Sequence, residues 1–389
     1  MDKEYIIQRM RRFCGYLAGF VFYISGILKL LDPVGAGLVM DEYFNFLHMG
    51  VLDFASKGVG IAFAFAETLI GAALITGVWR KVTAIASFAF QGFFTLLTLV
   101  LVIFNPQMDC GCFGEAVHLT HWQTFLKNIA LCLLLAGDFI PLRNLGEPRK
   151  RKYVSFSIVT LSTILFTIYS LIYNPMVDFT EYKAAGLLAA AEGPEDAESP
   201  YKAVFTYEKD GVRQTFDIDH LPDSTWTFIS TETIANEDYE ENTISLSFYD
   251  ADGQYQDRMA AEDKVMVISV YDPDIKQTRW DRIEEFAAEA EAAGFQAIII
   301  TTEDAKDRKD LLYSDYKTLI TLNRSNGGAT FFSDGYLIRK WAFRSLPDRE
   351  KLEELHVTSE TETLLERDSH GSLTFQSFLL YVFAVMLLL

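Results

Sequence analysis

The chain has 389 residues, half of them hydrophobic, and a formal net charge of −19. Residues 1–173 hold 14 Lys/Arg and 11 Asp/Glu, whereas residues 174–389 hold 20 and 42. So acidic a second half argues against nucleic acid as a partner, because phosphate contacts need clustered Lys and Arg; solubility alone accounts for the charge.

Five apolar runs fill the front half, at about residues 13–31, 59–78, 82–104, 122–142 and 153–173. Each approaches the roughly 20 residues a helix needs to cross the hydrocarbon core. A sixth run, residues 373–389, is shorter and is a candidate C-terminal transmembrane helix. The first run is too long for a removable signal peptide and lacks a small-x-small cleavage site. Basic residues occupy alternate loops: Lys3, Arg9, Arg11 and Arg12; then Arg80 and Lys81; then Arg143 and Arg149 to Lys152. The positive-inside rule therefore predicts a cytoplasmic N-terminus and places residues 174–372 outside. Residues 1–145 are expected to form a four-helix membrane domain, and residues 146–185 a basic cytoplasmic loop and a fifth span.

Residues 186–200 read as a linker. In 201–263 a β-rich segment is expected: Tyr201 to Tyr207 and Val212 to Ile218 alternate around Lys209-Asp210-Gly211, a hairpin pattern. Asp250 to Gly253 marks a second hairpin, which opens at Ile244. The spacing of Asp250, Asp252 and Gly253 is a turn, since a calcium loop needs its glycine at position six. In 264–356 strands and helices alternate. Val265 to Tyr271, Phe295 to Thr301, Thr318 to Leu322, Ala329 to Phe332 and Tyr336 to Trp341 read as strands. Asp281 to Ala293 and Asp348 to Leu355 read as helices, and the order is an α/β layered fold.

Only four cysteines are present, and Cys110-Gly111-Cys112 is the one close pair. It falls in an outer loop, where disulfides persist. A disulfide across one residue closes a small strained ring, which favours exchange over structural crosslinking. Two other readings stand beside this redox one. Cys110, Cys112, His118 and His121 form a candidate tetrahedral metal set, with Met108 near; or the pair braces its loop. His118 and His121 also precede a helix that Thr120 is placed to cap. Within the membrane, Glu67 needs a partner or a function, and Lys29 and Lys127 are the candidate partners. Asp138 is expected near the inner interface in contact with solvent. Cys14 and Cys132 read as packing residues.

Several motifs carry a family resemblance. Gly26-Ile-Leu-Lys29-Leu-Leu-Asp32-Pro33 closes the first run, Glu67-Thr-Leu-Ile-Gly71 lies in the second, and Asp109-Cys110-Gly111-Cys112-Phe113-Gly114 precedes Trp122-Gln123-Thr124-Phe125. Over about residues 10–145 these resemble the DoxX-like superfamily, and more closely its methylamine-utilisation MauE branch. The resemblance implies redox chemistry at the bacterial inner membrane, with Cys110 and Cys112 as the redox pair supported by Glu67 and Lys29. It also implies a periplasmic client or thiol-redox partner, with a quinone near Glu67 as the candidate cofactor. Residues 264–356 resemble a thioredoxin fold, through their element order and Gly328-Ala329-Thr330-Phe331-Phe332-Ser333-Asp334-Gly335-Tyr336. That domain is degenerate: Asp272 to Gln277 holds no cysteine, and Ala329 stands at the cis-proline position. The architecture expected is an α-helical membrane bundle with an extracytoplasmic α/β thioredoxin-like domain. A non-catalytic membrane-anchored assembly or binding factor is the alternative function.

Overall fold

The computed structural model describes residues 3–106, 108, 110–141, 148–182, 186–188, 201–209, 212–216, 222, 225–235, 243–305, 308, 311–358 and 360–389. The front half is helical: α1 (Lys3–Leu31), α2 (Pro33–Phe46), α3 (Ser56–Thr76), α4 (Arg80–Phe104), α5 (His121–Phe139) and α6 (Lys150–Ile172). Among the described residues, four helical stretches are long and apolar enough to cross a membrane: Tyr5–Leu31, Gly50–Thr76, Arg80–Phe104 and Lys150–Ile172. The fourth expected run, α5, falls short of that apolarity because it carries Lys127, Asn128 and Asp138. Its burial is nonetheless inward, with Thr124, Asn128, Leu131, Leu135 and Asp138 facing protein.

Small residues set the helix crossings. A Cβ on Gly26 would lie 2.3 Å from Thr68 Oγ1, and one on Gly71 would lie 2.5 Å from the Tyr23 backbone nitrogen. Lipid supplies no hydrophobic drive between spans, so such close backbone approach supplies the dispersion contacts that join α1 to α3. Helix α2 was not anticipated. Asp32 ends α1 and caps the new helix by accepting from the Gly35 N–H at 2.9 Å, with Pro33 in its first turn. At the opposite end of the bundle the expectation for Asp138 fails. It is fully buried, with Arg80 Nη2 2.7 Å from Oδ1 and Arg12 Nη1 3.8 Å from Oδ2. Arg11 donates to its carbonyl from Nε and Nη2. Three arginines of α1 and α4 thus converge on one residue of α5, and the charge they surround replaces solvent.

Helix α10 (Glu360–Leu388) includes the sixth run, with its apolar part at Ser372–Leu388. It runs antiparallel to α6: Tyr381 stacks on Phe166 at 5.1 Å, Ser162 bonds the Tyr381 hydroxyl, and Lys152 donates to the Leu389 carbonyl.

The back half contains two sheets. The smaller, in order β4-β3-β5, is made of β3 (Tyr201–Lys209), β4 (Val212–Phe216) and β5 (Thr227–Ala235), all antiparallel. The larger has seven strands: β2 (Leu187–Leu188), β6 (Thr243–Ile244), β7 (Lys264–Val270), β8 (Gln296–Thr301), β9 (Leu312–Tyr313), β10 (Gly328–Ser333) and β11 (Tyr336–Trp341). Their order is β6-β2-β11-β10-β7-β8-β9, with β7, β8 and β9 parallel and β10 antiparallel to both β7 and β11. Helices α7 (Gln277–Ala292) and α9 (Arg349–Val357) cover one face, through Trp280, Ile283, Phe286, Leu352 and Leu355. Helix α8 (Tyr316–Leu322) covers the other through Leu319 and Leu322, beside Leu246 and Phe248.

Three expectations from the sequence change here. Thr318 to Leu322 is helical, because Asp315 accepts from the Thr318 N–H and caps a short apolar run that periodicity alone cannot assign. The start of the 186–200 linker is strand β2, paired through Leu187 with Tyr336 and Thr243; residues 189–200 lie outside the described residues. Around Asp250 only a single bridge, Tyr249 with Tyr255, joins the arms. The turn itself is as expected, since Asp250 Oδ1 accepts from the Asp252 and Gln254 N–H groups.

Candidate functional site

The loop between α4 and α5 folds onto the end of the bundle near Lys29. Cys110 and Cys112 are thiols, the first buried and the second half-buried. Gly111 between them has φ +57, a conformation that L side chains resist, and a Cβ there would lie 2.3 Å from Val39 Cγ1. Glycine is therefore required twice, by the turn and by the approach of α2. Segment β1 (Cys112–Glu115) follows. Asp109 lies outside the described residues.

Hydrogen bonds hold the loop from two helices. Tyr43 of α2 donates its hydroxyl to the Cys110 carbonyl at 3.0 Å. Burial, with the adjacent Cys112 and Cys110, pushes that hydroxyl above its ordinary range and keeps it a neutral donor. Ser25 Oγ of α1 donates to the Cys112 carbonyl at 2.5 Å, and Lys29 Nζ donates to Ser25 Oγ at 3.0 Å. Lys29 Nζ also lies 2.6 Å from Glu67 Oε2, so the expected pair between the first two runs forms. Glu67, Lys29 and Ser25 thus form a continuous chain of contacts ending at the Cys112 carbonyl. Lys127 turns toward the Phe113 ring, 4.8 Å from its centroid, rather than forming an ion pair with Glu67.

Cys112, Gly111, Ser25, Lys29, Glu67 and Lys127 line a cavity of about 40 Å³, floored by Gln91 and Asn128. Asn128 Nδ2 donates to Thr98 Oγ1 and the Phe94 carbonyl, and Gln91 donates to the Asn128 carbonyl. The space suits a water molecule or two and is far below the roughly 300–1,000 Å³ of a small-molecule site. A quinone headgroup does not fit this cavity as it stands.

The residues of the metal alternative take separate roles. His121 places Nδ1 3.2 Å from Asn105 Oδ1 and Nε2 3.0 Å from the Met108 carbonyl, which occupies both ring nitrogens. His118 is exposed. Among the described residues no three His, Cys, Asp or Glu side chains converge on a metal position. Thr120 caps α5 as expected, in a reciprocal capping box with Gln123. Cys14 packs beside Gly137, and Cys132 lies 3.5 Å from Thr95 Oγ1.

The sheet domain closes over this end of the bundle. Arg324, after α8, is 2.9 Å from Asp32 and 3.1 Å from Glu115, just beyond the cysteine pair. Lys317 reaches Glu42 at 2.9 Å. Residues 7–140 match the family model of methylamine utilisation protein MauE. That match covers α1 to α5, and with it the cysteine loop and the Lys29–Glu67 pair; the region is MauE-like. Residues 201–236, which form β3 to β5, match a domain of unknown function, DUF8463. No curated protein and no solved structure matches the chain.

Sequence reasoning missed Ser25, Tyr43 and Arg324 at the MauE-like site. Ser25 had a signal, standing one helical turn before Lys29. Tyr43 belongs to a helix too short to stand out as a span, and nothing local marks Arg324.

Proposed function

We propose that this is a membrane-embedded thiol–disulfide exchange factor of the MauE type, acting in maturation of extracytoplasmic proteins. The observation that carries the reading is the half-buried Lys29–Glu67 pair beside Cys112, linked through Ser25 to the Cys112 carbonyl, around a water-sized polar cavity. The positive-inside pattern supports an inner-membrane protein with a cytoplasmic N-terminus and an outer cysteine loop.

Cys112 is the more accessible sulfur and serves as the exchange partner, with Cys110 resolving. A client thiolate attacks Cys112 Sγ of the Cys110–Cys112 disulfide, forming a mixed disulfide and releasing Cys110 as a thiolate. The second client thiol then attacks its own sulfur and releases Cys112. Two electrons pass from client to protein, and two protons follow to Cys110 and Cys112. Lys29, Glu67 and Lys127 share the cavity with Cys112, and in this reading they handle the protons that accompany exchange. A partner disulfide or a quinone approaching the loop from outside the cavity restores the oxidised pair.

The sheet domain contributes no nucleophile, because residues 133–389 contain no cysteine. Its β7-α7-β8 and β10-β11-α9 units, with β10 antiparallel beside β7, support a thioredoxin-like reading. It covers the cysteine loop and holds the client.

The test is trapping in membranes. Cys110→Ser is expected to accumulate a mixed disulfide through Cys112, whereas Cys112→Ser accumulates none and Cys132→Ala behaves as wild type. Full complementation of a deletion by the double serine variant would sink the redox reading and leave an anchored binding factor.

A further inference from the structure

A second, larger cavity of about 360 Å³ lies between the bundle and the sheet domain. Lys57 from the start of α3 enters it from the bundle. Arg279 of α7, Arg324 and Arg344 enter it from the sheet domain, and Asp32 is its one lining carboxylate. Asp32 is already engaged by Arg324 and the Gly35 N–H, and Arg324 is further paired with Glu115. The other three cations have no carboxylate within salt-bridge distance among the described residues. Arg279 spends one nitrogen on the Asn326 carbonyl and stacks on Phe343 at 4.3 Å, while its buried Nε has no hydrogen-bond partner.

This is anomalous for such an acidic half-chain. Residues 174–389 carry 42 Asp/Glu against 20 Lys/Arg, so a guanidinium there has abundant carboxylates available. Burial and the neighbouring Arg344 both lower the tendency of Arg279 to hold its proton, opposed by Tyr271 and Asp272. Four cations against the single lining carboxylate leave the cavity with excess positive charge, which an entering anion would offset. Two guanidinium forks beside an ammonium match the oxygens of a phosphate group, and the volume falls in the range of small-ligand sites. The wall formed by Ser170 and Tyr173, at the end of α6, sets the cavity beside the end of a span.

We propose that this interdomain cavity binds a phosphate group, either of a phospholipid headgroup or of a soluble phosphoester, through Lys57, Arg279 and Arg344. The bound anion neutralises the cluster and fastens the sheet domain to the bundle. The site is independent of the cysteine chemistry.

The test uses the full chain with Lys57→Gln and Arg344→Gln combined. Neither residue forms an ion pair among the described residues, and the circular dichroism of the double variant checks that its fold is kept; Arg258→Gln is the control. One arm measures stabilisation by inorganic phosphate in detergent at fixed ionic strength. The other measures phosphatidylglycerol against phosphatidylcholine retained per chain by native mass spectrometry. Saturable phosphate binding weakened at least tenfold by the double variant, and not by the control, supports a soluble phosphoester. About one retained phosphatidylglycerol per chain, lost in the double variant alone, supports a headgroup. If neither ligand binds saturably, or the double variant binds as wild type does, the proposal fails.

Discussion

Arg324 Nε lies 2.9 Å from Asp32 Oδ2, joining residues 292 positions apart in sequence and tying the sheet domain to the junction of α1 and α2. The Arg324 side chain is only 5% exposed, and the second branch of its guanidinium reaches Glu115 at the end of the cysteine segment. Burial pushes the Glu115 carboxyl up, and Arg324 opposes that shift without cancelling it, so the carboxyl stays above its ordinary range.

Removing Arg324 leaves two half-buried carboxylates uncompensated. Arg324→Ala is expected to cost about 3–5 kcal/mol and to raise hydrogen exchange in α2 and α8 together. A double-mutant cycle with Asp32→Asn checks the contact itself, and additive effects would count against it.

The Lys29–Glu67 pair makes an analogous prediction inside the bundle. Glu67→Gln leaves the half-buried Lys29 ammonium without its carboxylate and is expected to lower stability in detergent by about 1–3 kcal/mol. Replacing both partners, as Lys29→Met with Glu67→Leu, recovers most of that loss yet leaves thiol exchange slow. Exchange at the wild-type rate in the stable double variant would show that the pair is structural only.

At the loop, Gly111→Ala meets both a positive φ and Val39. The expected cost is about 1–3 kcal/mol, with altered alkylation rates at Cys112. Val39→Ala in the same chain removes the collision but not the backbone strain, so it restores only part of the stability. Full recovery would mean that the φ value carries no cost.

A pH test addresses the base of the sheet domain, where Lys340 Nζ is 2.6 Å from Asp178 Oδ2. Burial alone would raise the Asp178 carboxyl, but Lys340 and the Thr180 hydrogen bonds outweigh it and hold the value below the usual range. A depressed folded-state pKa stabilises the fold above the unfolded value of about 3.9, and the contribution disappears as pH falls through the folded value. Asp178→Asn is therefore expected to lower the melting temperature at pH 7, with the difference from wild type shrinking as pH falls below about 4. A constant difference across that range would exclude the pair as its source.

Much of the architecture was readable in the chain because lipid and sheet both impose strong one-dimensional patterns. Runs of about 20 apolar residues identify helices that span, and the uninterrupted Val265 to Val270 run marks a central strand whatever surrounds it. The Cys110-Gly111-Cys112 motif was legible for the same reason, since its loop chemistry is local. Where the signal was weak the reading failed. Seven residues at α8 fit a strand or a helix equally until Asp315 capped them, and two residues at β2 are too few to show a period.

Tertiary structure alone decided which charges meet. Sequence could place Glu67 and Lys29 in neighbouring spans, but the 2.6 Å contact depends on the close crossing of α1 and α3 at Gly26 and Gly71. It gave Asp138 to solvent because an acidic residue near a helix end is ordinarily hydrated. The fold instead surrounds it with Arg11, Arg12 and Arg80, from helices distant in sequence. The convergence of Lys57, Arg279 and Arg344 on one cavity has the same origin. Hydrophobic periodicity is written along the chain, whereas charge pairing is settled only by which surfaces the packed helices and sheet bring together.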